Sequence, residues 1–127
     1  MSEVLQVLYV EDDADIRAVA EFALEDEGFE LILCESGQQA LDKAVGAKPG
    51  LLLLDVMMPG LDGPTTLQRL RELPHLADTP AIFMTAKVQP VELVQYQAMG
   101  AVGVISKPFD PMTLAGQIRT LLESHDD

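Results

Sequence analysis

Leu51-Leu52-Leu53-Leu54-Asp55 places four consecutive leucines directly before a carboxylate. The run is too short for a helix and spares no position for water, which is how a strand covered on both faces of a parallel sheet reads. Four further runs rich in Val, Ile or Leu share this character, and the five strands are expected at about 5–10, 31–34, 51–54, 81–85 and 102–106. Each is followed by a segment with helical spacing. Ile16, Ala20, Ala23 and Leu24 form one stripe; Ala40, Leu41, Ala44 and Val45 form the next, behind Ser36 and Gln39 in capping-box spacing. Leu67 and Leu70 mark a third helix opened by Pro64. Val91, Val94 and Ala98 give a fourth, started by Pro90 and ended at Gly100. Leu114, Ile118, Leu121 and Leu122 give the last, with Asp110 as N-cap, Pro111 at the first helical position and a short polar tail over 124–127.

Strand and helix thus alternate five times. Buried strands joined by helices imply right-handed crossovers and an α/β fold of three layers, a doubly wound (βα)5 domain. No linker, repeat or low-complexity tract interrupts the 127 residues, and one domain over 1–127 is expected.

Charge narrows the function. Eight basic against 21 acidic side chains give a net charge of −13, which opposes direct contact with nucleic acid or an anionic membrane surface. Cys34 is the only cysteine, so no internal disulfide forms. It lies in an apolar stretch and reads as a buried, inert thiol. The first residues lack a basic segment followed by an apolar run, and no stretch approaches the ~18 apolar residues of a membrane span. A soluble, cytoplasmic protein is the expectation.

Ligands of open parallel sheets bind beyond the carboxyl ends of the strands. There the first strand ends in Glu11-Asp12-Asp13, the third in Asp55, the fourth in Thr85 and the fifth in Ser106-Lys107. If the first and third strands are neighbours, four carboxylates, a hydroxyl and an ammonium meet at one edge. Gathered carboxylates repel one another and need a cation, and an all-oxygen set favours Mg²⁺ or Mn²⁺. Asp13 has an equally good role at the positive end of the first helix. Lys107, set between Val-Ile-Ser and Pro-Phe, suits a negative charge at the strand edge.

Val-Glu-Asp-Asp at 10–13, Leu-Leu-Asp-Val-Met-Met-Pro-Gly-Leu-Asp-Gly at 53–63, Met-Thr-Ala at 84–86 and Ser-Lys-Pro-Phe at 106–109 together resemble the receiver domain of two-component response regulators. The resemblance implies a flavodoxin-like strand order, 2-1-3-4-5. It also implies that Asp55 is the phosphoacceptor and that Asp12, Asp55 and the Met57 backbone carbonyl bind Mg²⁺, with Glu11 acting mostly through water. Thr85 would bond the phosphoryl oxygen, Lys107 would pair with it, and Lys107-Pro108 would be a cis peptide. The partners implied are a sensor histidine kinase or histidine phosphotransfer protein and an output protein bound through the face of helix 4, strand 5 and helix 5. No output domain is read in the chain, which is expected not to be an enzyme beyond its own phosphorylation and dephosphorylation.

One position departs from the family pattern. Receivers usually carry Tyr or Phe three residues before the strand-five lysine, and here Val104 stands there. Thr85 and Val104 are therefore the switch positions, with Tyr96 on the fourth helix as the ring that would serve instead. Met57 and Lys87, two residues after Asp55 and Thr85, hold positions that influence hydrolysis in this family.

Other residues have plainer readings. Met57 and Met58 are expected as packing residues, Gly60 and Gly63 as turn residues, and His75 as part of a loop. Three rival functions fit the sequence less well. A flavodoxin-like redox protein would place Glu11-Asp12-Asp13 against its own phosphate. An aspartyl phosphohydrolase usually has a second Asp where Met57 stands. A receiver-like module that binds partners without phosphorylation is the remaining alternative.

Overall fold

All five strands run parallel in the order β2-β1-β3-β4-β5. In chain order the elements are β1 (Leu5–Val10), α1 (Ala14–Leu24), β2 (Phe29–Cys34), α2 (Gly37–Ala44), β3 (Leu51–Asp55) and α3 (Gly63–Leu70). A 3₁₀ turn follows at Pro74–Leu76, then β4 (Ala81–Thr85), α4 (Pro90–Ala98), β5 (Ala101–Ser106) and α5 (Leu114–Asp126). This computed structural model describes residues 4–86 and 88–126, so Lys87 lies outside the described residues.

The alternation of side chains along the strands divides the core in two. Leu8, Val10, Leu52, Leu54, Ala81 and Phe83 pack on one face with Ala40 and Ala44 of α2, Leu67 and Leu70 of α3 and Tyr96 of α4. Val7, Tyr9, Leu51, Leu53, Ile82, Met84 and Ile105 pack on the other with Ala20 and Leu24 of α1 and Leu114, Ala115 and Ile118 of α5. All four leucines of β3 are fully buried, as a strand covered on both faces requires.

Local chemistry explains most helix starts. Asp13 accepts bonds from the backbone N–H of Asp15 and Ile16, Ser36 from Gln39, and Asp62 from Thr65, each satisfying an otherwise orphaned donor. Gln39 reaches back to the N–H of Glu35 rather than to that of Ser36, a shifted form of the capping box.

Several expectations need correction. β2 begins at Phe29, two residues before the apolar run, because an edge strand tolerates the exposed Glu30. β3 includes Asp55 and β5 begins at Ala101. α5 starts at Leu114: Asp110 bonds the N–H of Met112 through its side chain and that of Thr113 through its carbonyl, holding 111–113 in a separate turn. The same helix continues through 124–126, where a polar tail was expected. On α4 the expected stripe faces outward, with Val91 63% and Val94 66% exposed, and the helix instead buries Tyr96 against Phe83, ring centroids 4.7 Å apart. Val45, read as part of the α2 stripe, is also exposed. Met58 packs in the core as expected, but Met57 is 79% exposed. His75 belongs to the 3₁₀ turn, with Nε2 2.9 Å from the carbonyl oxygen of Ala44 at the end of α2.

Cys34 is fully buried at the end of β2, and burial pushes its thiol up to about 11.

Candidate functional site

Register brings the acids together. Val10 pairs with Leu54, so the next residues, Glu11 and Asp55, arrive level at the carboxyl ends of adjacent strands. The N–H of Glu11 donates to the carbonyl of Cys34 at 3.0 Å, extending the β1–β2 pairing one residue further. Asp55 stands beside Met84 of β4, and Thr85 beside Ser106 of β5. Lys107 is the next residue, and its N–H donates to the Thr85 carbonyl at 2.9 Å. Lys107-Pro108 is a cis peptide.

The loop after β3 is held close. Gly63 opens α3 where an added Cβ would lie 2.4 Å from the Asp55 carbonyl oxygen and 2.9 Å from the Val56 Cα. Gly60 turns the chain at φ +78°. Gly60 is a turn residue as expected, whereas Gly63 is the first residue of α3 and is required there by contact.

Carboxylate oxygens of Glu11, Asp12 and Asp55 lie within 4.8 Å of one another. Glu11 is fully buried, Asp55 is 4% exposed, and Asp12 is open to solvent. Lys107 Nζ sits 2.9 Å from Glu11 Oε1 and 3.2 Å from Asp55 Oδ1. The second Glu11 oxygen, Oε2, accepts from the N–H of Asp13 at 3.1 Å. One ammonium thus serves two buried acids with a third nearby.

The electrostatics follow. Burial raises both Glu11 and Asp55 above the ordinary carboxylate range, against the lowering effect of Lys107. Burial alone would lower Lys107, but its bonds and charge contacts with Glu11 and Asp55 prevail and raise it. Ionising the whole group is costly without more positive charge, and the donor set is all oxygen, so these residues fit a hard divalent cation.

The site residues read from sequence are distributed as follows. Glu11, Asp12, Asp55 and Lys107 come together, and Thr85, 6% exposed, closes the adjacent strand. Asp13 does not join them, since its side chain caps α1. Val104 is partly buried against the core face that holds Tyr96 and Phe83. Sequence reasoning missed Arg17, whose Nη1 donates to the Glu11 carbonyl at 2.7 Å. Its position one turn after Asp13 on α1 was the available signal.

The chain belongs to the response regulator receiver domain family, whose model matches residues 7–119. Among curated relatives, it is similar to the phosphate regulon transcriptional regulatory protein PhoB of Pseudomonas aeruginosa, 38% identical over 116 residues, 91% of this chain and 51% of that protein. It is likewise similar to the transcriptional regulatory protein CseB of Streptomyces avermitilis, 36% identical over 122 residues, 96% of this chain and 51% of the relative. The chain therefore spans about half the length of these relatives. The solved chemotaxis protein CheY4 of Vibrio cholerae superposes with a TM-score of 0.88 at 30% identity, covering 93% of this chain and 98% of that one.

Proposed function

We propose that this chain is a phosphoacceptor switch of a two-component relay, taking a phosphoryl group on Asp55 from a phosphohistidine. One observation carries the reading: Asp55 shares an ion-sized space with Asp12 and Glu11 while Lys107 stands 3.2 Å from its Oδ1. An Asp55 oxygen attacks phosphorus in line. The new P–O bond forms as the P–N bond to the donor imidazole breaks, and the electron pair leaves on that nitrogen, which takes up a proton. Glu11, Asp12, Asp55 and the Met57 carbonyl would hold Mg²⁺, or Mn²⁺ in its place. Bound there, the ion neutralises charge on the transferring group. Lys107 pairs with the phosphoryl oxygens and Thr85 donates a hydrogen bond to one of them. The product is an acyl phosphate, labile to water, so the signal is temporary. Chemistry ends on the chain's own residue.

The phosphodonor would be a sensor histidine kinase or a histidine phosphotransfer protein, and the compartment the cytoplasm. Among the described residues, no helix is long and apolar enough to cross a membrane. Output would pass to a partner protein through the face of α4, β5 and α5, with Thr85 and Val104 as the switch positions. Tyr96 packs on Phe83, the β4 neighbour of Val104, which supports a role for α4 and this ring where the usual strand-five aromatic is missing. Adding beryllofluoride with Mg²⁺ should shift amide resonances across residues 88–105, and unmoved resonances there would remove this route.

The decisive experiment is incubation with acetyl phosphate and Mg²⁺ followed by intact-mass measurement. Wild type should gain one phosphoryl group and Asp55→Asn none. A wild type that stays unmodified, or a mutant modified as fully, overturns the reading.

A further inference from the structure

Arg17 occupies an unfavourable place for a cation. It is the fourth residue of α1, close to the positive end of the helix dipole, where acidic side chains are preferred. It also brings positive charge beside acids that are suited to gathering a cation of their own. Its bonds account for the position. The backbone N–H of Arg17 donates to the Asp13 carbonyl at 2.9 Å, the first bond of the helix, while Nη1 reaches back to the Glu11 carbonyl at 2.7 Å. The second bond is charge-assisted and is made by a half-buried side chain. It falls on the first carbonyl beyond the paired part of β1, since the register with both β2 and β3 ends at Val10.

That carbonyl belongs to the peptide that carries Asp12. A peptide unit is planar, so the atoms from Glu11 Cα to Asp12 Cα move as one piece, and a donor that fixes the Glu11 oxygen fixes the point from which the Asp12 side chain departs. The following peptide is held as well, its N–H at Asp13 donating to Glu11 Oε2 at 3.1 Å. Asp12 thus hangs between two bonded peptides. Glu11 and Asp55 are buried and share Lys107, whereas Asp12 is open to solvent, yet an oxygen of each lies within 4.8 Å of the others. The exposed acid is the one whose place depends on its backbone.

We propose that Arg17 is a positioning residue of the acid cluster: its guanidinium, bonded to the Glu11 carbonyl, fixes the peptide that carries Asp12 and so aligns the Asp12 carboxylate for a divalent ion. This inference rests on the phosphoacceptor reading and adds to it the residue that sets the exposed ligand.

Charge and position make opposite predictions for Arg17→Met, which keeps an apolar stem and removes both the charge and the donors. Removing positive charge beside the acids would by itself tighten Mg²⁺ binding. Losing the alignment should instead weaken it, by about tenfold as for other groups that orient a metal ligand. Titration calorimetry reads the sign, with circular dichroism confirming that the variant is folded. Arg17→Gln, shorter and also uncharged, should weaken binding in the same direction. In ion-free protein either change should move the Glu11 carbonyl carbon resonance and the amide resonances of Asp12 and Asp13. In an Asp12→Asn background, where the aligned carboxylate is gone, Arg17→Met should cause no further weakening. Mg²⁺ bound as tightly or more tightly by folded Arg17→Met and Arg17→Gln, or an equal weakening with and without Asp12, overturns the role of Arg17 and leaves the phosphoacceptor reading intact. A wild type that binds no Mg²⁺ would instead remove the reading beneath it.

Discussion

Asp55 is held by opposing forces. Burial disfavours its charge, Lys107 favours it, and burial prevails, so its folded-state value lies above the unfolded one, as does that of Glu11. The folded chain therefore binds more protons than the unfolded chain at pH values between the two. Without divalent ions, stability should rise as pH falls from neutrality toward the usual carboxylate range, and saturating Mg²⁺ should flatten that slope. Denaturant melts at several pH values, with and without Mg²⁺, check this. Asp55→Asn removes one of three crowded charges while leaving Lys107 its bond to Glu11, and should raise the ion-free unfolding free energy by about 1–2 kcal/mol. Lys107→Ala acts in the other direction. It leaves the fully buried Glu11 without a cation, with an expected loss of about 3 kcal/mol that added Mg²⁺ partly restores.

Single glycines decide how α3 and α5 sit. Gly63→Ala would drive a methyl group into the Asp55 carbonyl and the Val56 Cα, neither of which can yield without moving Asp55. A loss of about 3 kcal/mol or more, with weakened Mg²⁺ binding, is expected by titration calorimetry and melting. Gly103→Ala meets first the side chain of Leu121, whose flexible end can turn away, so its effect should be smaller and should spare Mg²⁺ binding. Asp13→Ala should remove about 1 kcal/mol through the lost cap of α1 while leaving Mg²⁺ affinity nearly unchanged, which separates its role from that of Asp12. At this scale the sequence was legible where a periodic pattern and a burial requirement coincide. β3 is the clearest case: only a strand covered on both faces explains Leu51 to Leu54. It was less legible where a polar side chain had two competing uses. Asp110 closes its own turn instead of capping α5, and Asp13 caps a helix instead of joining the acids. On α4 the valines suggested the wrong face, because one aromatic ring buries more apolar surface than two small aliphatic side chains.

For the molecule as a whole, parallel pairing sends every strand's carboxyl end to the same edge, so residues up to 96 apart in sequence meet there, as Glu11 and Lys107 do. The identities of those residues could be read from the chain, since acids at the ends of apolar runs are conspicuous. Their distances could not, because the order of β1 beside β3 came from family resemblance and not from spacing. Nor did any pattern disclose that Lys107 bridges two acids, which depends on register at the level of single residues. Net charge also acts at this scale. With −13 overall and the acids crowded at one edge, Mg²⁺ affinity should fall as monovalent salt screens the attraction, a trend that calorimetry over a salt series measures. Finally, the one native sulfhydryl, at Cys34, is shielded from solvent and stays protonated at neutral pH. A maleimide dye should therefore ignore the folded wild type, so a cysteine introduced at the exposed Val94 can be tagged selectively, giving a fluorescent report on α4 without first removing the natural thiol.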